Sequence, residues 1–307
     1  MIIYREVTKR FGNHVAVDRL SVPIARGEVV ALLGPNGSGK TTTLKIAAGL
    51  IQPGGGEVVI GEPPQTPSSP AARRLLSFLP QRVAFPDALT GAEVVEFYRA
   101  LRDVPQARTD AVLRFASLEG AADRQVSTYS GGMLQRLGLA VAMLPDAEIL
   151  LLDEPTAALD PDGLSAFYAL VERRRRDGLT VLFTSHQVGD VERLADRFLV
   201  LVRGRLVAEL TQAALRDRLA ERGTIRLRLS RKPAGLLADV QKLSSGAEWD
   251  GDELVVPGTA SIRPIVLDLA RRSGAEIRGL VAQDGQMETL YRELVASQGD
   301  EEPVWSH

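Results

Sequence analysis

The chain has 307 residues, 45% of them hydrophobic and 25% charged, with a formal net charge of −2 and a pI near 6.0, which leaves room for one large α/β domain and a small one. No basic excess supports a nucleic-acid binder, and the absence of cysteine excludes disulfides and thiolate metal sites. Met1-Ile2-Ile3-Tyr4-Arg5-Glu6 shows no signal peptide and no run nears the ~18 apolar residues of a bilayer span, so a soluble, cytoplasmic chain is expected.

In chain order, Ile3–Val7 and Leu20–Ile24 read as short strands of an antiparallel flank. Val29–Leu33 is an apolar run ending in glycine, followed by a helical pattern over Thr41–Leu50. Residues 90–145 read mostly as helix, through Ala92–Leu101, Asp110–Ala116 and Met133–Met143. Ile149–Leu152, Val181–Thr184 and Phe198–Val202 are further short apolar runs. Buried runs separated by helices indicate a parallel sheet covered on both faces, with ligands at the carboxyl ends of its strands. The arginine run Arg173–Arg176, between Glu172 and Asp177 on a helix, reads as a solvated face.

A break follows Leu219. Thr224–Ser230 alternates as a half-buried strand, followed by a helix (Ala234–Lys242), a hairpin around Asp250-Gly251-Asp252, a helix (Ser261–Ser273), a strand (Glu276–Ala282) and a last helix (Met287–Ala296). A small α+β domain over 224–307 is expected, with a polar tail at Gly299–His307.

The strongest chemical signal is Gly34-Pro35-Asn36-Gly37-Ser38-Gly39-Lys40-Thr41, which fits G-x-x-x-x-G-K-[ST] between a strand and a helix. The glycines let backbone N–H groups turn inward around a phosphate, and the helix start adds its positive end. Lys40 can reach β- and γ-phosphates, and Thr41, with Thr42 beside it, can ligate Mg²⁺. Ile149-Leu150-Leu151-Leu152-Asp153-Glu154 supplies a carboxylate for Mg²⁺ at Asp153 and a proton acceptor for an attacking water at Glu154. Together these motifs describe a nucleotide triphosphatase.

Tyr129-Ser130-Gly131-Gly132-Met133-Leu134-Gln135-Arg136 resembles the LSGGQ signature of ABC ATPases, departing from it in Tyr129 for Leu and Met133 for Gln. Phe78-Leu79-Pro80-Gln81 resembles that family's Q-loop, Ala158-Leu159-Asp160 its D-loop, and Thr184-Ser185-His186 its switch-histidine segment. Phe11 stands where the family usually has an adenine-stacking Tyr. The resemblance covers residues 1–220 and implies a P-loop NTPase of the ABC ATPase type, α/β, with a helical subdomain at about 83–145.

It also implies the roles of the site. ATP would stack on Phe11, with its phosphates held by Gly34, Asn36, Gly37, Ser38, Gly39, Lys40, Thr41 and Thr42 and Mg²⁺ on Thr41, Gln81 and Asp153. Glu154 and His186 would be catalytic; Ser130, Gly131 and Gly132 would meet the γ-phosphate of a second copy, next to Asp160. The partners implied are a second copy of the chain and a separate permease docking near Gln81 and residues 83–128, on the cytoplasmic face of the inner (plasma) membrane, with no nucleic acid. Residues 224–307 resemble the C-terminal domains of ABC-2 exporter ATPases, Met287-Glu288-Thr289-Leu290-Tyr291 included. Residues 79–98 are similar to the ATPase of the copper-handling transporter that matures nitrous oxide reductase, which implies a copper or sulfur cargo. The alternative is an ABC ATPase acting on nucleic acid or ribosomes. Against it stand a single phosphate loop and the absence of sustained heptads between that loop and the signature.

Overall fold

The computed structural model describes residues 1–185, 192–221, 223–283 and 293, and these divide into two compact units between Glu209 and Leu210. The first unit runs β1 (Ile2–Phe11), β2 (His14–Ile24), β3 (Val29–Leu33), α1 (Lys40–Ala47), β4 (Gly55–Ile60), α2 (Pro70–Leu75), β5 (Leu76–Leu79), α3 (Gly91–Leu101) and α4 (Ala107–Phe115). It continues with α5 (Gly131–Met143), β6 (Ile149–Asp153), α6 (Pro161–Arg176), β7 (Thr180–Thr184), β8 (Arg197–Val202) and, across the division, β9 (Arg205–Thr211).

The apolar runs become the centre of a six-stranded sheet of order β5-β6-β7-β3-β8-β9. Its pairs from β5 to β8 are parallel, and every residue of β3, β6 and β7 is buried, as helices on both faces require. The two-residue turn Arg203-Gly204, at φ 48° and 80°, returns β9 along β8, the turn geometry that matches strand twist in a hairpin. A second, antiparallel sheet of order β2-β1-β4 packs on α1. Val7, Leu20, Ile24, Leu44, Leu32 and Leu151 share one core cluster across these layers, each worth about 1.5–3 kcal/mol when buried.

The flank strands are longer than expected, at 10 and 11 residues. Glu6 and Arg19 sit at positive φ (49° and 50°) where the register shifts. The polar residues that seemed to bound the strands therefore mark bulges inside them. The arginine run Arg173–Arg176 is a solvated face at every position but Arg174. The Arg174 side chain is only 15% exposed and donates to the Ala147 carbonyl at 2.9 Å, while Arg175 pairs with Asp196 and Arg176 with Glu172.

The helical layer holds α3, α4 and α5. A capping box between Thr90 and Glu93 starts α3. Gly138 lets α5 approach the segment after β5 so closely that a Cβ there would lie 2.6 Å from Val83 Cγ2. Phe85 packs edge-on against Tyr98 with ring centroids 6.0 Å apart. Phe97 and Leu101 stay 58% and 66% exposed.

The second unit holds α7 (Gln212–Glu221), β10 (Thr224–Leu229), α8 (Leu236–Gln241), β11 (Glu248–Asp250), β12 (Glu253–Pro257), α9 (Arg263–Arg272) and β13 (Ile277–Gln283). Its antiparallel sheet has the order β11-β12-β10-β13. The alternation of β10 turns Ile225, Leu227 and Leu229 inward, onto Val240 of α8 and Val266 and Ala270 of α9. The helix expected over Met287–Ala296, apart from Glu293, and the tail lie outside the described residues.

Candidate functional site

Three adjacent strands of the parallel sheet end at one place. Thr184, last in β7, pairs with Asp153, last in β6, on one side and with Leu32 of β3 on the other. The loop 34–39 continues from β3 into α1. A Cβ on Gly34 would lie 2.3 Å from the Leu201 carbonyl oxygen, and one on Gly39, at φ 102°, 2.2 Å from that of Ala16. Glycine alone therefore lets this loop press against β8 and β2. Gly39 gives α1 no side-chain cap, and the first turn contains no acid. Its leading N–H groups have no partner within the helix and suit an anion. Asn36 and Gly37 are exposed, Ser38 is buried, and Thr41 and Thr42 are half-buried.

Lys40 is buried and donates to the carbonyls of Gly34 at 2.7 Å and Pro35 at 3.0 Å. Burial pushes its pKa down, and Glu154 and then Asp153 act against that shift. An ammonium kept from water and tied to its own loop is a charge for which an incoming polyanion is a better partner.

Asp153 is buried, and its Oδ1 accepts from Thr184 Oγ1 at 2.7 Å. Its Oδ2, like Ser38 Oγ, is buried without a hydrogen-bond partner among the described residues. An orphaned carboxylate oxygen among oxygen donors fits a hard divalent cation. Glu154 stands at φ 55°, outside the usual range for a side-chain-bearing residue. Its N–H donates to Thr184 Oγ1 at 2.9 Å, and its Oε1 accepts from Gln81 Nε2 at 3.0 Å. Thr184 thus orients both acids, a role that no sequence motif announces; the one available sign is a threonine ending an apolar strand in register with Asp153. The structure brings Lys40, Asp153, Glu154 and Gln81 together.

Other expected residues stand apart from that cluster. Phe11 ends β1, 48% exposed, with Lys9 Nζ 5.3 Å from its ring centroid. Ser130 caps α5, accepting from the Met133 N–H at 3.2 Å. Gly131 and Gly132 form the first turn of that helix, Gly132 beside Ala158. Among the described residues no hydrogen bond joins this second helix start to the 34–41 loop. Tyr129 is buried and donates to the Ala121 carbonyl at 2.8 Å, so it belongs to the packing of the helical layer. Asp160 caps α6, its Oδ1 accepting from the Gly163 N–H at 2.8 Å. His186 lies outside the described residues.

Chemically, the cluster pairs an anion cradle with a carboxylate left open for a cation and a second carboxylate held near the same point. Comparison with known proteins agrees with that chemistry. Residues 17–157 match the family described as ABC transporter. The chain is 39% identical over 218 residues to the Nod factor export ATP-binding protein I of Burkholderia lata, covering 70% of this chain and 72% of that one. It is 33% identical over 282 residues to the daunorubicin resistance ATP-binding protein DrrA3 of Streptomyces coeruleorubidus, covering 90% and 88%. The fold superimposes on the ATP-binding cassette MJ0796, solved as a dimer in a post-hydrolysis state bound to ADP and Pi, with a TM-score of 0.63 and 28% identity over 69% of this chain and 99% of that one.

Proposed function

The chain belongs to the ABC transporter family as an ATP-binding subunit of the exporter type, an ATPase coupled to transport, and from that premise we propose how its residues divide the work. The observation that carries the proposal is the buried trio of Lys40, the unpartnered Asp153 Oδ2 and the unpartnered Ser38 Oγ at one strand-end cluster. The loop residues Gly34, Asn36, Gly37, Ser38, Gly39, Lys40, Thr41 and Thr42 hold the ATP phosphates, and Phe11 stacks on adenine. Thr41, Asp153 and Gln81 would hold Mg²⁺, which supplies charge neutralisation on the phosphates. Glu154 accepts the proton of the attacking water, His186 holds the γ-phosphate, and the rest of the catalysis is positioning and electrostatics.

Ser130, Gly131 and Gly132 of a second copy complete each site beside Asp160. ATP then favours a closed dimer and hydrolysis loosens it, which a separate membrane-spanning subunit docked near Gln81 and residues 83–128 converts into transport. Among the described residues no helix is long and apolar enough to cross a membrane; the place proposed for the chain is beside that partner, on the cytoplasmic face of the membrane. Residues 1–220 form the ATPase domain in this reading, and 224–307 an accessory domain of the ABC-2 exporter kind. The 282-residue match, over 90% of this chain and 88% of the relative, supports that extension. The relatives are named for Nod factor export and daunorubicin resistance. They favour outward movement and lend no support to a copper or sulfur cargo.

Glu154→Gln tests the reading. The change is isosteric and removes the base, so steady-state ATP hydrolysis falls by about 10²-fold or more while nucleotide binding persists. Near-normal hydrolysis by the variant would refute the assignment.

A further inference from the structure

Away from the nucleotide site, α4 and α6 leave a cleft of about 430 Å³ between them, within the ~300–1,000 Å³ range of small-molecule sites. On α4 it is lined by Arg108, Ala111, Val112 and Phe115, an i, i+3, i+4, i+7 stripe and hence one helical face. On α6 the matching stripe is Ala166, Ala169, Leu170 and Arg173. The alanines leave the cleft open, and Met143 at the end of α5 adds to its apolar wall.

The cleft is polarised. Arg108 and Arg174 both reach Asp146, at 3.2 and 3.5 Å, so the start of α4 lies beside the end of α6. The two helices therefore run in opposite directions, and both stripes place arginine at the same end. Phe115 and Ala166 mark the other end, about 10 Å away along the helices. At the cationic end Arg108 and Arg174 pair with Asp146, itself 76% exposed, Asp177 also acts on Arg174, and Arg173 lines the same wall. Arg173 has no hydrogen bond or ion pair among the described residues. Arg174 is held below the usual arginine range chiefly by burial; Asp146 and Asp177 act against that shift, and Arg108 and Arg173 add to it. A partly dehydrated cation pressed by two others gains more from an anion than a solvated one does.

We propose that this cleft binds a small amphiphilic anion, its carboxylate or phosphate head at Arg173 and Arg174 and its apolar body along Ala111, Val112 and Ala169 toward Phe115. A planar guanidinium pair recognises such heads, and the 10 Å floor accepts a chain of roughly eight carbons.

The test is calorimetric titration of the full-length chain with octanoate below its micellar range, beside acetate and 1-octanol. Octanoate should bind at one saturable site, roughly tenfold or more tighter than either control, because each control lacks one of the two contacts. Ala169→Leu, which fills the cleft, should weaken octanoate at least tenfold. Arg173→Gln, at an exposed position without partners, should weaken it about fivefold or more and leave the thermal melt unchanged. No saturable octanoate binding, controls that bind equally well, or undiminished binding by either folded variant would overturn the proposal. If Ala169→Leu does not fold, Arg173→Gln alone decides. ATP turnover is not the readout, so failure here leaves the ATPase assignment standing.

Discussion

A single buried hydroxyl governs both acids of the site. Thr184 Oγ1 donates to Asp153 and accepts from the Glu154 N–H, and the second bond helps to hold Glu154 at its positive φ. Thr184→Val keeps the shape and removes both bonds. The buried Asp153 carboxylate then loses its hydrogen bond from Thr184, at a cost of about 1–3 kcal/mol in stability. Misaimed acids should lower ATP hydrolysis by about tenfold or more, since small displacements of catalytic groups are costly. Nucleotide binding, which rests on the 34–41 loop, should change much less. Steady-state hydrolysis and binding of a fluorescent ATP analogue separate the two effects, and parallel losses in both would reduce Thr184 to a structural residue. Lys40, Asp153 and Glu154 are legible in the sequence because their chemistry is local, a loop or an acid pair at the end of an apolar run. Thr184 is not, because its partner lies 31 residues away and only the strand register brings them together. Tyr129, a departure from the signature's Leu, serves the helical layer through its buried ring and its bond to the Ala121 carbonyl.

At the scale of elements, the sheet is clamped at the ends of its strands opposite the site. Arg197, first in β8 and 13% exposed, donates to both carboxylate oxygens of Glu28 at 2.7 and 3.0 Å, and also to Glu209 and the Pro23 carbonyl. Glu28 immediately precedes β3, so one side chain joins β2, β3, β8 and β9. Arg197→Met keeps the apolar stem and leaves Glu28, 18% exposed, without its counter-charge. Breaking such a pair costs about 3 kcal/mol, or a melting temperature roughly 10 °C lower for a unit of this size. ATP affinity at the remaining folded fraction should be unchanged, because the clamp and the phosphate loop lie at opposite ends of β3. A circular-dichroism melt with a parallel binding curve checks both parts. The buried parallel strands were readable as continuous apolar runs. Neither β4 nor the pair α2 and β5 was. Gly55-Gly56-Glu57 shows no alternation, α2 has only six residues and β5 four, so their places are set by the neighbours they pair with and not by local pattern.

For the whole molecule, the clean alternation of β10 and the glycine turn at Asp250-Gly251-Asp252 mark elements of the second unit in the sequence, but that unit begins at Leu210, within β9, and not after Leu219 as expected. In the proposed mechanism one chain does not hold a complete site. It carries two helix starts suited to anions, at Gly39–Lys40 and at Ser130–Gly131, and no hydrogen bond joins them among the described residues. In that mechanism the two starts act on one nucleotide from different copies, arranged head to tail. Ser130→Arg would fill the space a γ-phosphate needs and block closure at each site built with that signature. Lys40→Ala would empty the other cradle of its charge. Mixed together, the two variants form one pairing with an intact loop facing an intact signature, so one site in two is restored. In a Glu154→Gln background, where hydrolysis does not reopen the pair, ATP-dependent dimers should be seen by light scattering for the mixture and for neither variant alone. Ser130→Arg chains that dimerise on ATP by themselves with normal affinity would show that the signature does not bind phosphate in trans, and the shared-site mechanism would have to be abandoned.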